Sequence, residues 1–178
     1  MKMAEYRWTT EELRLNARTL RAGDRVLLSG TAYTARDAAH KRLAQALDQG
    51  DPLPFDLKGA VIYYAGPTPT PEGRAIGSCG PTTSSRMDPY APRLYDLGMT
   101  ATIGKGERSA DVCEAICRNG GVYLCAIGGA GALASQCITA CRVIAYDDLG
   151  CESVKELTLA DFPLIVAIDA CGGNLFNR

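Results

Sequence analysis

The sequence predicts a single α/β domain in which helices flank a mixed β-sheet. Its 178 residues fit one domain with a core of its own, and we expect that domain to span residues 1–178. Apolar residues make up 47% and charged residues 22% of the chain, which is ordinary for a globular protein. Short apolar runs typical of strands alternate with amphipathic segments typical of helices, and the strands outnumber the helices. This mixed order favours the α/β class.

The first two helices have recognisable start and stop signals. Thr9-Thr10-Glu11-Glu12 is typical of a capping box that opens a short helix. The second helix is expected from about Ala35 to Gln49, because alanine and leucine side chains recur on one face and Gly50 stops it. Thr34 together with Asp37 could cap its start. Two further helices are expected over residues 92–97 and 108–118.

Six apolar runs predict short strands separated by turns. They cover residues 25–29, 60–64, 101–103, 122–127, 142–146 and 164–168. The residues that follow the first run, Gly30 to Thr34, are expected to form a turn. Residues 66–81 contain four prolines and four glycines, which predicts a rigid, irregular excursion instead of a flexible linker.

Composition argues against several kinds of partner. The net charge is −1 at pH 7 and no basic stripe is present, so we expect no nucleic-acid partner. No apolar run approaches the roughly 20 residues that a membrane-spanning helix needs, so we expect no membrane partner. The first eight residues, MKMAEYRW, lack the apolar segment of a signal peptide, which predicts a cytoplasmic protein.

Eight cysteines raise the question of disulfides or a metal. A cytoplasmic chain argues against disulfides, and the sequence contains no Cys-x-x-Cys and only one histidine. Two pairs, Cys113/Cys117 and Cys137/Cys141, have the spacing that aligns two thiols on one helix face. We nevertheless expect buried, reduced thiols and no metal site built by this chain alone.

The most informative segment is the polar loop at residues 80–88, which reads Gly-Pro-Thr-Thr-Ser-Ser-Arg-Met-Asp. Hydroxyls, backbone N–H groups and a guanidinium are the groups that grip a small carboxylate or phosphate. A helix that starts near Ser84 would add favourable potential for an anion at its N-terminus. We therefore expect Thr82, Thr83 and Arg86 to hold an anion, although a Ser/Thr-rich capping loop would contain the same residue types.

Three residues elsewhere are candidates for the same site. Arg36 is expected just inside the N-terminus of the second helix, and His40 follows one turn later. Lys105 lies between Gly104 and Gly106 at the end of a predicted strand, where glycines let the backbone approach a ligand. Taken singly, Arg36 fits a surface arginine, Lys105 a turn lysine and His40 a packing or hydrogen-bonding residue. Together, two arginines, one lysine and two threonines suit a small dianion.

A competing motif suggests a nucleotide. The run Gly129-Ala130-Gly131-Ala132-Leu133-Ala134 matches G-x-G-x-x-A after a predicted strand. A dinucleotide fold needs a long helix next and an acidic residue about 20 positions further on. Only about ten helical residues fit before the strand near Arg142, and Asp147 and Asp148 come early. The anion site is therefore the better interpretation.

Four blocks of the sequence resemble one known family. They cover residues 29–42, 80–92, 103–106 and 161–169 with 173–174, and the second, GPTTSSRMDPYAP, is highly specific. This pattern resembles the β subunit, or C-terminal domain, of class I iron–sulfur fumarases and L-tartrate dehydratases, and it extends over nearly the whole chain. The continuation Met-Asp-Pro-Tyr-Ala-Pro, residues 87–92, is more similar to the fumarase branch than to the tartrate branch.

The resemblance implies a swivelling β/β/α domain and the reversible dehydration of (S)-malate to fumarate. It also implies a [4Fe–4S] cluster held by three cysteines of a partner α subunit, whose open iron acts as a Lewis acid on the leaving hydroxyl. The implied assembly is an α2β2 hetero-oligomer or a β–β dimer, and the β chain is expected to be inactive alone.

The same resemblance implies roles for individual residues. Carried over by position, Arg36, Arg86 and Lys105 match the carboxylate-binding residues of the family. Thr82 matches the threonine proposed as the catalytic base, and Thr83 beside it is expected to contact the substrate as well.

Two alternatives stay open. The chain could be the β subunit of an L-tartrate dehydratase or of a related dicarboxylate hydro-lyase, because one small side chain in the α subunit could decide the substrate. It could also be a stand-alone anion-binding or scaffold module without an α partner.

Overall fold

One sheet of seven β-strands organises the structure, a computed structural model that describes residues 3–126 and 131–177. In chain order its strands are β1 (Glu5–Thr9), β2 (Arg25–Thr34), β3 (Val61–Tyr63), β4 (Ala101–Gly104), β5 (Val122–Ala126), β6 (Ile138–Ala145) and β7 (Val154–Ile168). The α-helices in this part of the chain are α1 (Thr10–Asn16), α2 (Asp37–Gln49), α3 (Ala91–Asp96), α4 (Ala110–Asn119) and α5 (Gly131–Gln136). The predicted α/β class, a mixed sheet with flanking helices, is confirmed.

The sheet closes on itself. Neighbouring strands follow the order β1-β2-β3-β4-β5-β7-β6, and β2 pairs with β7 as well. The pairings from β1 through β5 are parallel, whereas β7 is antiparallel to β2, β5 and β6. Strands β2, β3, β4, β5 and β7 therefore form a closed five-stranded barrel that β1 and β6 extend. The sequence patterns predicted a mixed sheet but not this closure.

Two long strands make the closure possible. β2 pairs along its length with β7, while its other edge pairs first with β1 and then with β3. The pairing with β7 is interrupted by a bulge between Leu28 and Gly30, where β7 has one extra residue opposite β2. Gly30 on β2 and Asp161 on β7 have positive φ angles of +111° and +49° there. A bulge of this kind increases the local twist of the paired strands, which helps β2 to pair with two neighbours along its other edge.

Side chains alternate between the two faces of the barrel strands and form two cores. One core fills the inside of the barrel and takes residues from all five barrel strands, such as Val26, Ile103 and Leu124. The other packs the outer faces of the strands against α2, α3 and α4 through residues such as Leu43 and Leu94. The central strands are thus buried on both faces, and the functional residues must come from their ends.

Several strand predictions were wrong at their boundaries. The turn predicted at residues 30–34 is the second half of β2, because pairing with β7 continues beyond the bulge at Gly30. β7 begins at Val154, well before the predicted run, and β1 was not predicted. The strand predicted over residues 122–127 is observed as β5, while Ile127 lies outside the described residues.

The helix signals were more reliable. The capping box is confirmed, since Glu12 N donates to Thr9 Oγ1 at 3.1 Å and Thr9 N donates to the Glu12 carboxylate at 2.7 Å. The second helix was predicted to start too early, because Asp37 is its first helical residue and Arg36 is the N-cap. Thr34 does not cap this helix, because its hydroxyl bonds to the backbone around the start of β7.

The connecting segments are either short or held together by hydrogen bonds within the segment. Residues 66–81 are irregular, as predicted, and two hydrogen bonds of 3.0 and 2.9 Å join Thr68 to Ser78 within them. After the G-x-G-x-x-A motif, whose Gly129 and Ala130 lie outside the described residues, α5 contains only six residues. Within the described ranges, no helix has the length and apolar character that crossing a bilayer requires.

Replacing Gly30 by alanine tests the bulge. The new Cβ would lie 2.6 Å from Thr10 Oγ1, at a φ that L-residues avoid. We expect Gly30→Ala to lower the free energy of unfolding in urea by roughly 2–4 kcal/mol. Gly50→Ala is the matched control, because Gly50 has a φ of +72° but open space around its Cβ position, and about 1 kcal/mol is expected there. Equal losses would show that the close contact at Gly30 is unimportant.

Candidate active-site surface

The carboxyl ends of β2, β3 and β4 lie side by side and bring separate segments of the chain together. Arg36 follows β2, Tyr64 follows β3 and Lys105 follows β4. In parallel strands these ends meet at one edge of the sheet, where loops commonly build ligand sites. The polar loop at residues 80–88 returns to the same edge from the irregular segment.

Backbone hydrogen bonds attach the polar loop to the ends of β3 and β4. Thr82 N donates to Tyr64 O at 2.7 Å, and Thr83 forms an isolated parallel bridge with Lys105. Ser84 N donates to Lys105 O at 2.9 Å, and Lys105 N donates to Ser84 Oγ at 3.0 Å. Thr83 is therefore held beside Lys105, and Thr82 precedes it in the same loop beside the end of β3.

Asp37 links the two arginines. Arg86 Nε donates to Asp37 Oδ1 at 2.9 Å, and Arg36 Nη2 lies 4.0 Å from Asp37 Oδ2. On its other side, Arg36 Nε lies 3.6 Å from Glu152 Oε1. The structure thus groups all five predicted site residues around one end of the barrel strands, and their individual roles stay predictions.

These cations form an open surface. The Arg86 side chain is 52% exposed and the Arg36 side chain 23% exposed. Thr83 and Lys105 are also exposed, while Thr82 is half-buried. Small-molecule sites usually enclose most of the ligand surface. By this measure the surface is too open to enclose a small ligand by itself.

A sizeable cavity among the described residues lies elsewhere. It has a volume of about 300 Å³ and lies beside the residues that precede β4 and β5, at the other end of the sheet. Arg14 and Arg18 contribute to its lining, but Arg14 pairs with Glu11 and Arg18 packs against Gly120, which ends α4. Since these cations already have structural partners, cavity size does not identify the functional surface.

A buried polar layer supports the loop from beneath, and the sequence patterns missed it. Tyr123 OH lies 2.9 Å from both Ser84 Oγ and Gly106 O. A Cβ at Gly104 would overlap Ser84 Oγ, so only glycine lets Ser84 approach β4 this closely. These contacts hold the loop against β4 and β5.

Arg108 is the buried centre of this layer. Its side chain is fully buried and pairs with Asp88 at 2.6 Å. It also donates to Thr102 Oγ1 at 3.0 Å and to Tyr64 OH at 3.2 Å, and its guanidinium lies 4.8 Å from the centre of the Tyr123 ring. Burial lowers the pKa of Arg108, but the neighbouring tyrosines and Asp88 outweigh that effect, so the net shift is upward.

The helix expected from Ser84 is a four-residue 3₁₀ segment, Ser84–Met87. Thr83, which precedes it, makes no side-chain capping bond. So short a segment aligns too few peptide dipoles to provide the anion potential of a helix N-terminus. The loop therefore contains hydroxyls and a guanidinium but lacks the favourable anion potential of a helix N-terminus.

His40 is buried behind the arginines. It is 1% exposed, its Nδ1 lies 2.9 Å from Arg36 O, and its ring meets Tyr64 edge-on. Burial lowers the pKa of His40 from 6.5 to about 4, so the imidazole is neutral at pH 7. This placement fits the packing and hydrogen-bonding interpretation.

All eight cysteines are free thiols. Cys79 is buried, and burial raises the pKa of its thiol to about 12. Cys151 and Cys171 are exposed and the other five are half-buried, so the expectation of buried thiols holds only in part. Within residues 3–126 and 131–177, no three or more His, Cys, Asp or Glu side chains are grouped so that they could hold a metal ion. The described residues therefore do not fit an iron–sulfur cluster.

The chain is similar to a known family and to named enzymes. The model of the Fumarase C-terminus family matches residues 3–178. Fumarate hydratase 2 of Leishmania major is 42% identical over 158 residues, and the aerobic class I fumarate hydratase of Escherichia coli strain K12 is 41% identical over 156 residues. These matches cover 88% and 86% of this chain, but the chain spans only 28% of the length of each enzyme.

Another relative is matched over most of its own length. A protein of Methanocaldococcus jannaschii with the provisional name L(+)-tartrate dehydratase subunit beta is 37% identical over 169 residues. The match covers 92% of this chain and 87% of that protein.

Asp88→Asn tests the buried ion pair. The substitution keeps the shape of the side chain but leaves Arg108 buried without a counter-ion, so we expect a loss of about 3–5 kcal/mol in the free energy of unfolding. Asp96→Asn is the matched control, because Asp96 pairs with Arg118 at the surface at 2.8 Å and should cost less than about 1 kcal/mol. Urea unfolding measures both, and similar losses would contradict the importance of burial.

Stability should also fall in acid because of His40. Its pKa of about 4 in the folded chain lies below the unfolded value of 6.5, so the unfolded chain binds the proton more tightly between these values. The contribution of neutral His40 is complete above about pH 6.5, and about 3 kcal/mol is lost as the pH falls toward 4. Urea unfolding at pH 7 and pH 4.5 should show a smaller acid loss for His40→Gln than for the wild type. An unchanged acid loss would assign it to other groups.

Proposed function

Because the chain belongs to the Fumarase C-terminus family, we propose that it is the β-type part of a class I fumarate hydratase. The reaction is the reversible removal of water from (S)-malate to give fumarate. The observation that carries the proposal is the grouping of Arg36, Arg86 and Lys105 with Thr82 and Thr83. Cations and hydroxyls from three separate segments meet there, which suits a small substrate with two carboxylates.

In this proposal the three cations bind the substrate carboxylates. A guanidinium can meet a carboxylate through two parallel hydrogen bonds, whereas the ammonium of Lys105 acts as a point charge. Negative charge grows on the carboxylate next to the carbon that loses its proton. A donor placed for that charge is worth roughly 3–4 kcal/mol in the transition state, so Arg36 and Arg86 would raise kcat as well as bind substrate.

Thr82 is the proposed base, and Thr83 is a further substrate contact. A threonine hydroxyl is a weak base alone, so nearby positive charge must lower its pKa. The bridge between Thr83 and Lys105 brings one cation near, and Arg86 follows in the same loop. Either cation could stabilise the alkoxide form of Thr82.

The rest of the active site is proposed to come from an α-type partner. The cations of this chain lie at an open surface, and no metal-binding group occurs in the described part of the chain. In this proposal a [4Fe–4S] cluster belongs to the partner and supplies the Lewis acid for the leaving hydroxyl, and activity requires both chains. The assembly would be α2β2 or would include a β–β dimer. The substrate-binding and proton-transfer roles proposed for this chain involve only side chains of this chain.

The fold suits a unit that moves as a whole. Helices packed on the outer faces of a closed barrel tie the described strands into one body. In the proposed enzyme, residues 1–178 form one swivelling β/β/α domain that closes the arginines and Lys105 over the substrate, in the cytoplasm.

An L-tartrate dehydratase β subunit is the second candidate. The Methanocaldococcus jannaschii relative favours it, since this chain and that protein match over most of both lengths. Residues 87–92 favour the fumarase branch, and tartrate has the same pair of carboxylates for the cations to bind. The candidate from another class is an anion-binding module without a partner.

Anaerobic co-expression with the α-type chain of the same genome tests the proposal. After cluster reconstitution, the purified pair should interconvert malate and fumarate faster than it dehydrates tartrate or citramalate, and neither chain alone should be active. A preference for tartrate would support the second candidate. Full activity of this chain alone, or inactivity of the pair on every dicarboxylate, would refute the proposed function.

Thr82→Val in the same pair tests the proposed base. Valine keeps the shape of threonine without the hydroxyl, so kcat should fall by about 10²–10⁴-fold, the usual contribution of a general base, while KM changes little. Thr139→Val, at an exposed position on β6, should leave both constants unchanged. Normal turnover in Thr82→Val would exclude Thr82 as the base.

A further inference from the structure

We propose that Asp37 and Glu152 are positioning residues. Asp37 holds Arg86 by its Nε and leaves the outer guanidinium nitrogens of Arg86 for the ligand, and Glu152 orients Arg36 through a 3.6 Å contact with its Nε. Neither acid was singled out as a functional residue by the sequence motifs. The pinning of the arginines follows from contacts within this chain, and its effect on substrate binding rests on the proposed function.

Arg86 is held from behind by Asp37. Its Nε donates to Asp37 Oδ1 at 2.9 Å, although the Arg86 side chain is 52% exposed. An exposed arginine normally samples many rotamers and loses much conformational entropy when a ligand fixes it. The bond to Asp37 restricts that freedom in advance, and it uses the Nε–H instead of the forked end that grips a carboxylate.

Arg36 has the same arrangement with Glu152. Its Nε lies 3.6 Å from Glu152 Oε1, and both atoms are buried without a hydrogen-bond partner among the described residues. Buried charged groups are rarely left unpaired, so a shift of well under 1 Å would complete this bond. The guanidinium packs closely against Gly66, since a Cβ there would lie 3.0 Å from Arg36 Nη1.

The fold, and not the arginine, fixes Glu152. This residue ends the 3₁₀ segment Asp147–Glu152, directly before β7. Lys155 is buried in β7 and donates its Nζ protons to oxygens of the same segment and its end, at 3.1 Å to Cys151 O and 2.7 Å to Ser153 Oγ. Lys155 therefore clamps the backbone of the turn that carries Glu152, so the position from which this side chain extends is fixed independently of Arg36.

The backbone of Asp37 is placed by the start of α2. It is the first residue of α2, and its Oδ2 is buried without a hydrogen-bond partner, 4.0 Å from Arg36 Nη2. One carboxylate thus lies between both arginines. Two carboxylates facing three cations leave one excess positive charge, so the surface still attracts a dianion while the arginines keep defined orientations.

Proton exchange at the arginine Nε–H groups tests the pinning in this chain by itself. In ¹⁵N NMR spectra, Asp37→Asn should speed exchange of the Arg86 Nε–H by roughly tenfold or more, the factor expected when a charge-assisted hydrogen bond weakens. Glu152→Gln should do the same at Arg36. Asp48→Asn is the matched control, because Asp48 lies on the same helix and pairs with Arg93 at the surface. Unchanged exchange at Arg36 and Arg86 in both variants would overturn the proposal.

Kinetics of the assembled pair test the consequence. Arginines that are no longer held should bind substrate less well, so Asp37→Asn and Glu152→Gln should raise KM by about tenfold and change kcat less. Glu152→Asp, which keeps the charge, should recover part of the loss, whereas a purely structural role would not follow charge. Faster exchange with an unchanged KM would refute the positioning role. An inactive wild-type pair would count only against the proposed function, because the exchange rates are measured on this chain without its partner.

Discussion

The buried ion pair between Arg108 and Asp88 is the interaction on which the candidate site depends. Asp88 ends the polar loop, and its carboxylate accepts from both Arg108 and Ser109 N, the latter at 2.6 Å. Ser109 in turn caps α4. Two buried charges are tolerated only while each satisfies the other, so the loop cannot lift without exposing or stranding one of them. Thr82 and Arg86 are therefore carried on a loop whose base is anchored in the core.

Local signals in the sequence predicted much of this molecule, and long-range pairings were missed. The capping box at Thr9 and the central strands follow from nearest-neighbour patterns. Closure of the barrel does not, because it requires β2 to pair with β7 from the other end of the chain. Gly30 illustrates the difficulty: glycine in an apolar run is typical of a turn, yet here it lies inside β2, opposite a bulge in β7.

The candidate site was likewise predicted only in part from the sequence. The five proposed site residues came from weak single motifs combined with a family resemblance, and the strand ends bring these residues to one edge of the sheet. Arg108 was missed because Gly-Glu-Arg-Ser has the composition of an exposed turn. Asp37 and Glu152 were missed because a carboxylate is not expected beside predicted anion-binding groups. Only the structure shows that each carboxylate lies on the Nε side of a guanidinium. Residues that only hold a binding residue in place leave weaker sequence patterns than the binding residue itself.

An open cationic surface also explains why this chain would need a partner. In water, each charge–charge contact at about 4 Å is worth only about 1 kcal/mol, and several times more once solvent is excluded. Covering the surface around Arg36, Arg86 and Lys105 would therefore convert a weak anion patch into a strong dicarboxylate site. The half-buried position of Thr82 at this surface fits the same arrangement.

Calorimetric binding of succinate, a C4 dicarboxylate that cannot lose water, tests this shared site most directly. The account predicts measurable binding to the assembled pair, none at the same concentrations to either chain alone, and an affinity lowered by about tenfold or more in the pair that carries Arg86→Gln. Equal binding of succinate to this chain alone would contradict it, as would an affinity of the pair that Arg86→Gln does not change.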